Sequence, residues 1–338
     1  MDIKVSIIIT SFNREKFISK AIKSALSQTY SNIEVIVTDN CSTDKTDEVI
    51  LEFLSDPRFI YSKNPTNIGM VPNFEKGIYE LAKGDFVTFL SSDDYFIDDN
   101  FISDAVGLIE KYPNLNLVFC KCGVTTFDDE NKILDVVETS LFNKEFYNGK
   151  DLFLLLANTL GLGFGGGIMH REAAIKNGIF KNDFQSADFH IVFKLLLQGN
   201  CGLINKTGYI WRLHDGNASK KLQIELEFAG LDYIIDIYKF GIENNLLDEK
   251  LLKKWRDIKL KRRLKFSLVC LKIKEPQNFN SIYKQFETRY PETVRSLKSD
   301  ITLQVFLLLS KRKRIVLFFS SIFLNSGELR VIKELYET

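Results

Sequence analysis

Four short apolar runs, VSIII at 5–9, IEVIVTD at 33–39, FIYS at 59–62 and DFVTFL at 85–90, are separated by stretches with a helical period. Between the first two, Phe17, Ala21, Ile22, Ala25 and Leu26 recur at the three-and-four spacing that places one apolar stripe on a helix. Ser42-Thr43-Asp44 is the expected cap of a second helix running to about Leu54, closed by Asp56-Pro57. A third helix is expected over about 71–82, stopped by Gly84. Strands joined by crossovers of this length lie parallel, so the first hundred residues are read as a doubly wound α/β sheet.

In such sheets ligands bind beyond the carboxyl ends of the strands, where loops and helix amino ends converge. The polar residues at those ends are Thr10-Ser11-Phe12-Asn13 after strand one, Asp39-Asn40 after strand two and Ser91-Ser92-Asp93-Asp94 after strand four. Asp93 and Asp94 are neighbours on a loop, so their side chains diverge and a shared proton is not expected. Taken alone, such a pair reads as turn aspartates capping a helix. It also suits Mg²⁺ or Mn²⁺, which takes one or two carboxylates and fills its other positions with phosphate oxygens and water.

Composition excludes several classes. With 338 residues, 45% hydrophobic and 26% charged, the chain is neither disordered nor a small stapled protein, and it has length for one large domain and a smaller one. The net charge of +1 gives no overall bias toward nucleic acid, although residues 221–338 carry a net +8 and residues 1–220 a net −7. Five cysteines, with no leader-like segment before the first apolar run, fit a reducing cytoplasm. Cys120 and Cys122 share a face of an expected strand at 117–122 and have no second Cys/His pair at zinc spacing, so they are read as thiols rather than ligands.

SIIITSFNRE at 6–15, SQTY at 27–30, EVIVTDNCSTD at 34–44 and GDFVTFLSSDD at 84–94 stand in an order and spacing that resemble the amino half of family-2 glycosyltransferases of the GT-A fold. The resemblance continues through GGGIMHREA at 165–173 and through ADFHIVFKLLLQG and GYIWRLHDGNAS within 187–219, about two-thirds of the chain. It implies a Rossmann-like, mixed but mainly parallel sheet flanked by helices. Residues 1–219 would form the catalytic domain, with a donor half at 1–105 and an acceptor and base half at 106–219. A mainly helical domain at 220–338 would follow.

The resemblance also implies roles. Thr10 and Asp39 would hold the nucleotide base, Asp39 accepting from a uracil imide N–H. Ser11, Asn13, Asn67, Gly69, Asn73 and Ser92 would line the donor site, and Asp94 would lie against the donor sugar or ribose. Asp93 would be the main metal ligand, with His214 completing the site for Mn²⁺ or Mg²⁺. Asp188 matches the catalytic base, and Gly165, Gly166 and Arg212 fall on the acceptor side. The family often has Asp-x-Asp-Asp after strand four and Asp-Asp after strand two, where this chain has Ser91 and Asn40. Read without the resemblance, Asp188 could simply cap the helix marked by Ile191, Leu195 and Leu196. The run at 161–167 is no dinucleotide fingerprint, because it does not follow the first strand.

The implied activity is inverting transfer of a sugar from a nucleoside diphosphate, UDP favoured, to a hydroxyl of a glycan or lipid-linked glycan. Rival readings are a nucleotidyltransferase acting on sugar phosphates and a non-catalytic sugar-nucleotide-binding or assembly protein. In the carboxyl-terminal third, residues 250–274 hold eleven Lys and Arg against one Asp, and ITLQVFLLL and IVLFFSSIFL flank Lys311-Arg312-Lys313-Arg314. Neither apolar run reaches the roughly 20 residues that span a bilayer. The segment therefore reads either as a helical cap packed on the catalytic domain or as a helix on an anionic membrane surface, at the inner face of the cytoplasmic membrane. No nucleic-acid motif is present. The sequence leaves the oligomeric state open.

Overall fold

The structure, a computed structural model, describes residues 2–127, 132–137, 139–159, 161–181, 187–214 and 224–309. The chain forms two compact units, one of Met1–Phe153 with Gly161–Leu222, the other of Leu154–Leu160 with Gln223–Thr338.

The first unit opens with β1 (Val5–Ser11), α1 (Ile18–Leu26), β2 (Ile33–Asp39), α2 (Thr46–Leu51), β3 (Phe59–Lys63), α3 (Met70–Glu75) and β4 (Phe86–Ser91). It continues through β5 (Tyr95–Phe96), α4 (Phe101–Lys111), β6 (Leu115–Thr126), β7 (Asp135–Val137), β8 (Phe146–Tyr147), α5 (Gly149–Leu155), β9 (Gly167–His170), α6 (Arg171–Lys176), α7 (Ala187–Gln198) and β10 (Asn200–Leu213). One sheet runs β3-β2-β1-β4-β9-β6-β10-β5, with β7 on β6 and β8 on β10.

The first four strands are parallel, as the βα alternation requires. β9 is antiparallel to both β4 and β6, and β10 is parallel to β6. Two reversals restore the direction, so β6 and β10 point the same way as β1, β2 and β4. That geometry delivers His214, just after β10, to the edge where β1, β2 and β4 end.

Ile7 and Ile9 of β1 share a buried cluster with Ile18, Ala21, Ile22 and Ala25 of α1. On one side of the sheet, Glu34 is buried where β1, β2 and the entry to β4 meet. It accepts from Ser6 Oγ at 2.6 Å and Lys83 N at 2.6 Å and pairs with Lys4 Nζ at 2.7 Å. Burial alone would raise its pKa, but these partners together hold it below the usual value.

Two expected helices differ. α2 starts at Thr46 and stops at Leu51, with turns in place of helix toward Leu54. Ser42 gives its hydroxyl to Asp39, and of the expected cap Asp44 meets the helix start, its Oδ1 accepting from Thr46 N at 3.0 Å. The third helix is α-helical only to Glu75 and widens to a π-helix over Lys76–Leu81.

In the second unit, α8 (Ile224–Glu243), α9 (Glu249–Lys274), α10 (Phe279–Arg289), α11 (Pro291–Lys298) and α12 (Ile301–Leu309) account for the described part of the helical extension. Asp248 caps α9 by accepting from Lys250 N at 2.9 Å and Leu251 N at 3.2 Å. Leu231, Trp255, Leu264, Leu268, Phe286 and Val294 are buried in it. Lys259 is buried too, its ammonium donating to the carbonyls of Leu156 at 3.1 Å and Thr159 at 2.6 Å. Among the described residues no helix is long and apolar enough to cross a membrane. The second apolar run and the 311–314 basic cluster lie outside the described residues.

Candidate functional site

Asp93 and Asp94 sit in the turn between β4 and β5, and β5 doubles back to pair with β10 through Phe96–Tyr209 and Tyr95–Ile210. The pairing explains why residues more than a hundred positions apart meet. Tyr209 donates its hydroxyl to Asp94 Oδ2 at 2.5 Å, and the backbone N–H of Arg212 donates to Oδ1 at 2.8 Å. Burial, reinforced by the neighbouring Asp93 charge, pushes the Asp94 pKa up to about 8 against the pull of those two donors.

Asp93 faces the other way. Its Oδ2 lies 2.8 Å from His214 Nε2 and 3.8 Å from Arg14 Nε. The His214 ring stacks on Phe17 with centroids 4.6 Å apart, and the buried Arg212 guanidinium lies 5.3 Å from the Phe17 ring and 5.1 Å from that of Tyr95. Lys20 Nζ lies over the same Tyr95 ring, 3.8 Å from its centroid. The arrangement is a ladder of rings and cations that fixes the end of β10 against the start of α1.

A carboxylate oxygen and an imidazole nitrogen form a donor set that Mn²⁺ or Mg²⁺ accepts. Among the described residues no cluster of three or more His, Cys, Asp or Glu completes a protein-only cage. Asp93 and His214 could therefore hold such an ion only with oxygens from outside the chain, such as those of a diphosphate or water, in its other positions.

At the end of β2, Asp39 is fully buried, and its carboxylate accepts the N–H of Ser42 at 2.8 Å as well as that residue's hydroxyl. Burial raises its pKa, opposed by Ser42. Ser11, opposite it in register, has a buried hydroxyl without a hydrogen-bond partner among the described residues. Thr10 is half-buried on the same strand, and Ser92 is buried in the β4 turn.

The expected donor-site asparagines do structural work. Asn13, at φ 53°, accepts from Thr43 N at 2.8 Å. Asn67 accepts from Asn40 Nδ2 at 2.8 Å and from Gly69 N at 3.0 Å. Gly69 takes φ 93°, a conformation that favours glycine. Asn73 is buried, donating to the Thr38 carbonyl at 2.9 Å and accepting from Asn64 Nδ2 at 2.9 Å, while Lys76 Nζ reaches Asn64 Oδ1 at 2.8 Å.

Asp188 occupies the first turn of α7. The residue keeps partial exposure, but its carboxyl group is enclosed, and burial lifts its pKa to about 6 against N–H groups of Phe189, Asp188 and Phe164. Of the expected acceptor-side residues, Gly165 packs on the Tyr209 ring, Gly166 is buried against Cys120, and Arg212 is enclosed. Tyr209, Arg14, Phe17, Asn64 and Lys76 were not among the sequence candidates. Arg14 and Phe17 follow Asn13 in the loop after β1, where position alone marks them. Tyr209 has no local signal, because its role comes from the β5–β10 pairing.

The family model described as Glycosyl transferase family 2 matches residues 6–178, just over half of the chain. An uncharacterized glycosyltransferase of Haemophilus influenzae is 29% identical over 244 residues, covering 71% of this chain and 78% of that protein. The Escherichia coli UDP-Glc:alpha-D-GlcNAc-diphosphoundecaprenol beta-1,3-glucosyltransferase WfaP is 39% identical over 113 residues, 31% of this chain and 41% of that one. The alignments span about two-fifths of the length of that enzyme and of two other curated relatives. Staphylococcus aureus TarS, solved in complex with UDP-GlcNAc, has the same fold, with a TM-score of 0.68 at 21% identity over 99% of this chain and 91% of the other. By the family match and the GT-A-like fold together, this chain belongs to glycosyltransferase family 2.

Proposed function

We propose that the chain is an inverting glycosyltransferase that moves a sugar from a nucleoside-diphosphate sugar, UDP favoured, to a hydroxyl of a glycan or lipid-linked glycan. The observation that carries the reading is the 2.8 Å contact of Asp93 with His214 in the turn after β4, with Asp39 at the end of the parallel strand β2, the edge where such sheets bind ligands. The printed name of WfaP, which gives a UDP-glucose donor and a diphosphoundecaprenol-linked acceptor, and the UDP-GlcNAc bound to TarS support the donor class.

In this reading Asp39 uses its remaining lone pairs to accept the imide N–H of the base, while Ser42 fixes the carboxylate. Ser11 supplies a buried hydroxyl that has no hydrogen-bond partner among the described residues. Asp93 and His214 hold Mn²⁺ or Mg²⁺, which when bound neutralises charge on the leaving diphosphate. The Asp94 carboxyl braces the turn through Tyr209 and Arg212. Asp188 takes the proton of the acceptor hydroxyl at its carboxylate. The freed oxygen forms the bond to the anomeric carbon as the bond to the diphosphate breaks, the diphosphate keeping the electron pair. With one displacement, configuration inverts.

The Mn²⁺ complex of the Pyrobaculum calidifontis mannosyltransferase PcManGT, related in fold at a TM-score of 0.51, is in keeping with the metal assignment. We place the enzyme in the cytoplasm, with the basic helical unit at an anionic membrane surface that presents the acceptor.

The test is release of nucleoside diphosphate from UDP-glucose, UDP-GlcNAc and GDP-mannose, each with Mn²⁺ and a GlcNAc-diphosphate-lipid acceptor. Turnover of a UDP-sugar with an inverted anomeric product is the expected result. Retention of configuration, or release of pyrophosphate from a nucleoside triphosphate and sugar phosphate instead, would contradict it.

A further inference from the structure

The run 161–167 contains five glycines, and they are not equivalent. Gly161 and Gly166 take φ 107° and 73°, so their backbone conformation disfavours a side chain. A Cβ on Gly167 would fall 2.4 Å from the Phe119 ring, and one on Gly165 would lie 3.1 Å from Tyr209 Cε1. These four are explained by backbone conformation or by packing on the sheet.

Gly163 is different. It lies outside the left-handed region, so its backbone accepts an ordinary residue. A Cβ there would lie 2.7 Å from Asp188 Oδ2, 3.7 Å from Asp188 Cγ and 3.8 Å from Phe189 Cε1, with no backbone atom nearer. What a side chain at 163 meets is the carboxylate itself. The N–H of Phe164, the next residue, is one of three backbone N–H groups, after those of Phe189 and Asp188, that favour the charged form of this carboxylate. One short segment thus leaves room for the Asp188 carboxylate and holds it there.

We propose that Gly163 is a positioning residue for the general base: its missing side chain is the space in which the Asp188 carboxylate lies against the Phe164 N–H. The proposal rests on the reading of Asp188 as the base. The carboxylate is the movable end of a side chain, so an added methyl displaces it without forcing the backbone, and the cost falls on catalysis rather than on folding. A misplacement of about 1 Å at a reacting group lowers turnover by about 10²-fold.

The experiment compares wild type, Gly163→Ala, Asp188→Asn and the double variant, reading UDP release from the UDP-sugar accepted in the donor panel, UDP affinity in Mn²⁺, and Tm. Gly163→Ala is expected to lose about 10²-fold in kcat with UDP affinity and Tm near wild type. In the Asp188→Asn background it is expected to cost nothing further, because residues acting as one unit are non-additive. Wild-type kcat in Gly163→Ala, or an equal further loss in the double variant, overturns the proposal while leaving the base intact. Wild-type turnover in Asp188→Asn overturns the base reading and the proposal with it. Should Gly163→Ala fail to fold, the Phe164 amide in the wild-type protein decides. Its ¹⁵N shift is expected to titrate with a midpoint near the Asp188 pKa of about 6 and to be flat in Asp188→Asn. A flat response in the wild type overturns the proposal.

Discussion

Asp188 and Asp94 are both enclosed carboxyls, yet their surroundings set them in different states near neutral pH. Asp188, at about 6, is raised by burial with no acidic neighbour among the causes, and it is ionised at pH 7. Asp94, at about 8, carries the additional charge of Asp93 and holds its proton unless a bound cation draws it off. A base works deprotonated, so turnover is expected to rise with pH through about 6 and to level above it, a limb that a pH profile of kcat reads directly. Asp188→Asn is expected to retain UDP binding and to lose about 10²- to 10⁴-fold in kcat; near wild-type turnover would remove Asp188 from the mechanism. Asp93, Asp39 and Asp188 stood out as candidates in the sequence because each lies at a strand end or helix start in a segment that resembles the family. The network of Asn40, Asn64, Asn67, Asn73 and Lys76 was only partly legible, since which amide turns inward depends on how the β3–α3 loop folds back over β2.

At the scale of elements, the four parallel strands and α1 were legible from period and propensity, because local pattern and final burial agree there. The β9 reversal was not, because a four-residue strand between two short helices has no pattern of its own. The π-helical turn was not legible either. A Cβ on Gly77 in that turn would fall 2.6 Å from Ile8 Cγ2, so the wider helix runs hard against β1. Glu34 joins three elements, and its contribution follows from its partners. Glu34→Ala leaves the buried Ser6 O–H without its acceptor, although Ser6 Oγ still accepts from Gly84 N at 2.8 Å, and frees the Lys83 N–H; at about 1–3 kcal/mol for a buried donor left unpaired it is expected to lower Tm by a few degrees. Its folded pKa lies below the unfolded one, so the stabilisation is present above the unfolded value and fades as pH falls through the folded value. Thermal melts of wild type and Glu34→Ala should therefore converge at acid pH; a constant gap would assign the effect to packing instead.

Across the whole molecule, charge asymmetry was legible in the sequence but its use was not. Of the basic run in α9, Lys259 binds two carbonyls, Lys265 pairs with Asp300 at 2.9 Å, Arg256 pairs with Asp257 at 2.6 Å and Lys272 lies 4.5 Å from the Phe279 ring. Much of the run therefore serves the second unit's own packing, while Lys253 and Lys254 stay exposed. Lys259→Met leaves the Leu156 and Thr159 carbonyls without that donor and is expected to lower Tm by several degrees, read by calorimetry. The donor site gives the central claim its most direct check, a thermal-shift titration of wild type and Asp93→Ala with UDP, with and without Mn²⁺. A ligand that binds only the native state raises Tm by mass action. UDP should stabilise the wild type strongly only with Mn²⁺, and Asp93→Ala should lose that metal-dependent increment while keeping its own Tm. An equal increment in both proteins, or no response to UDP in either, would contradict the account.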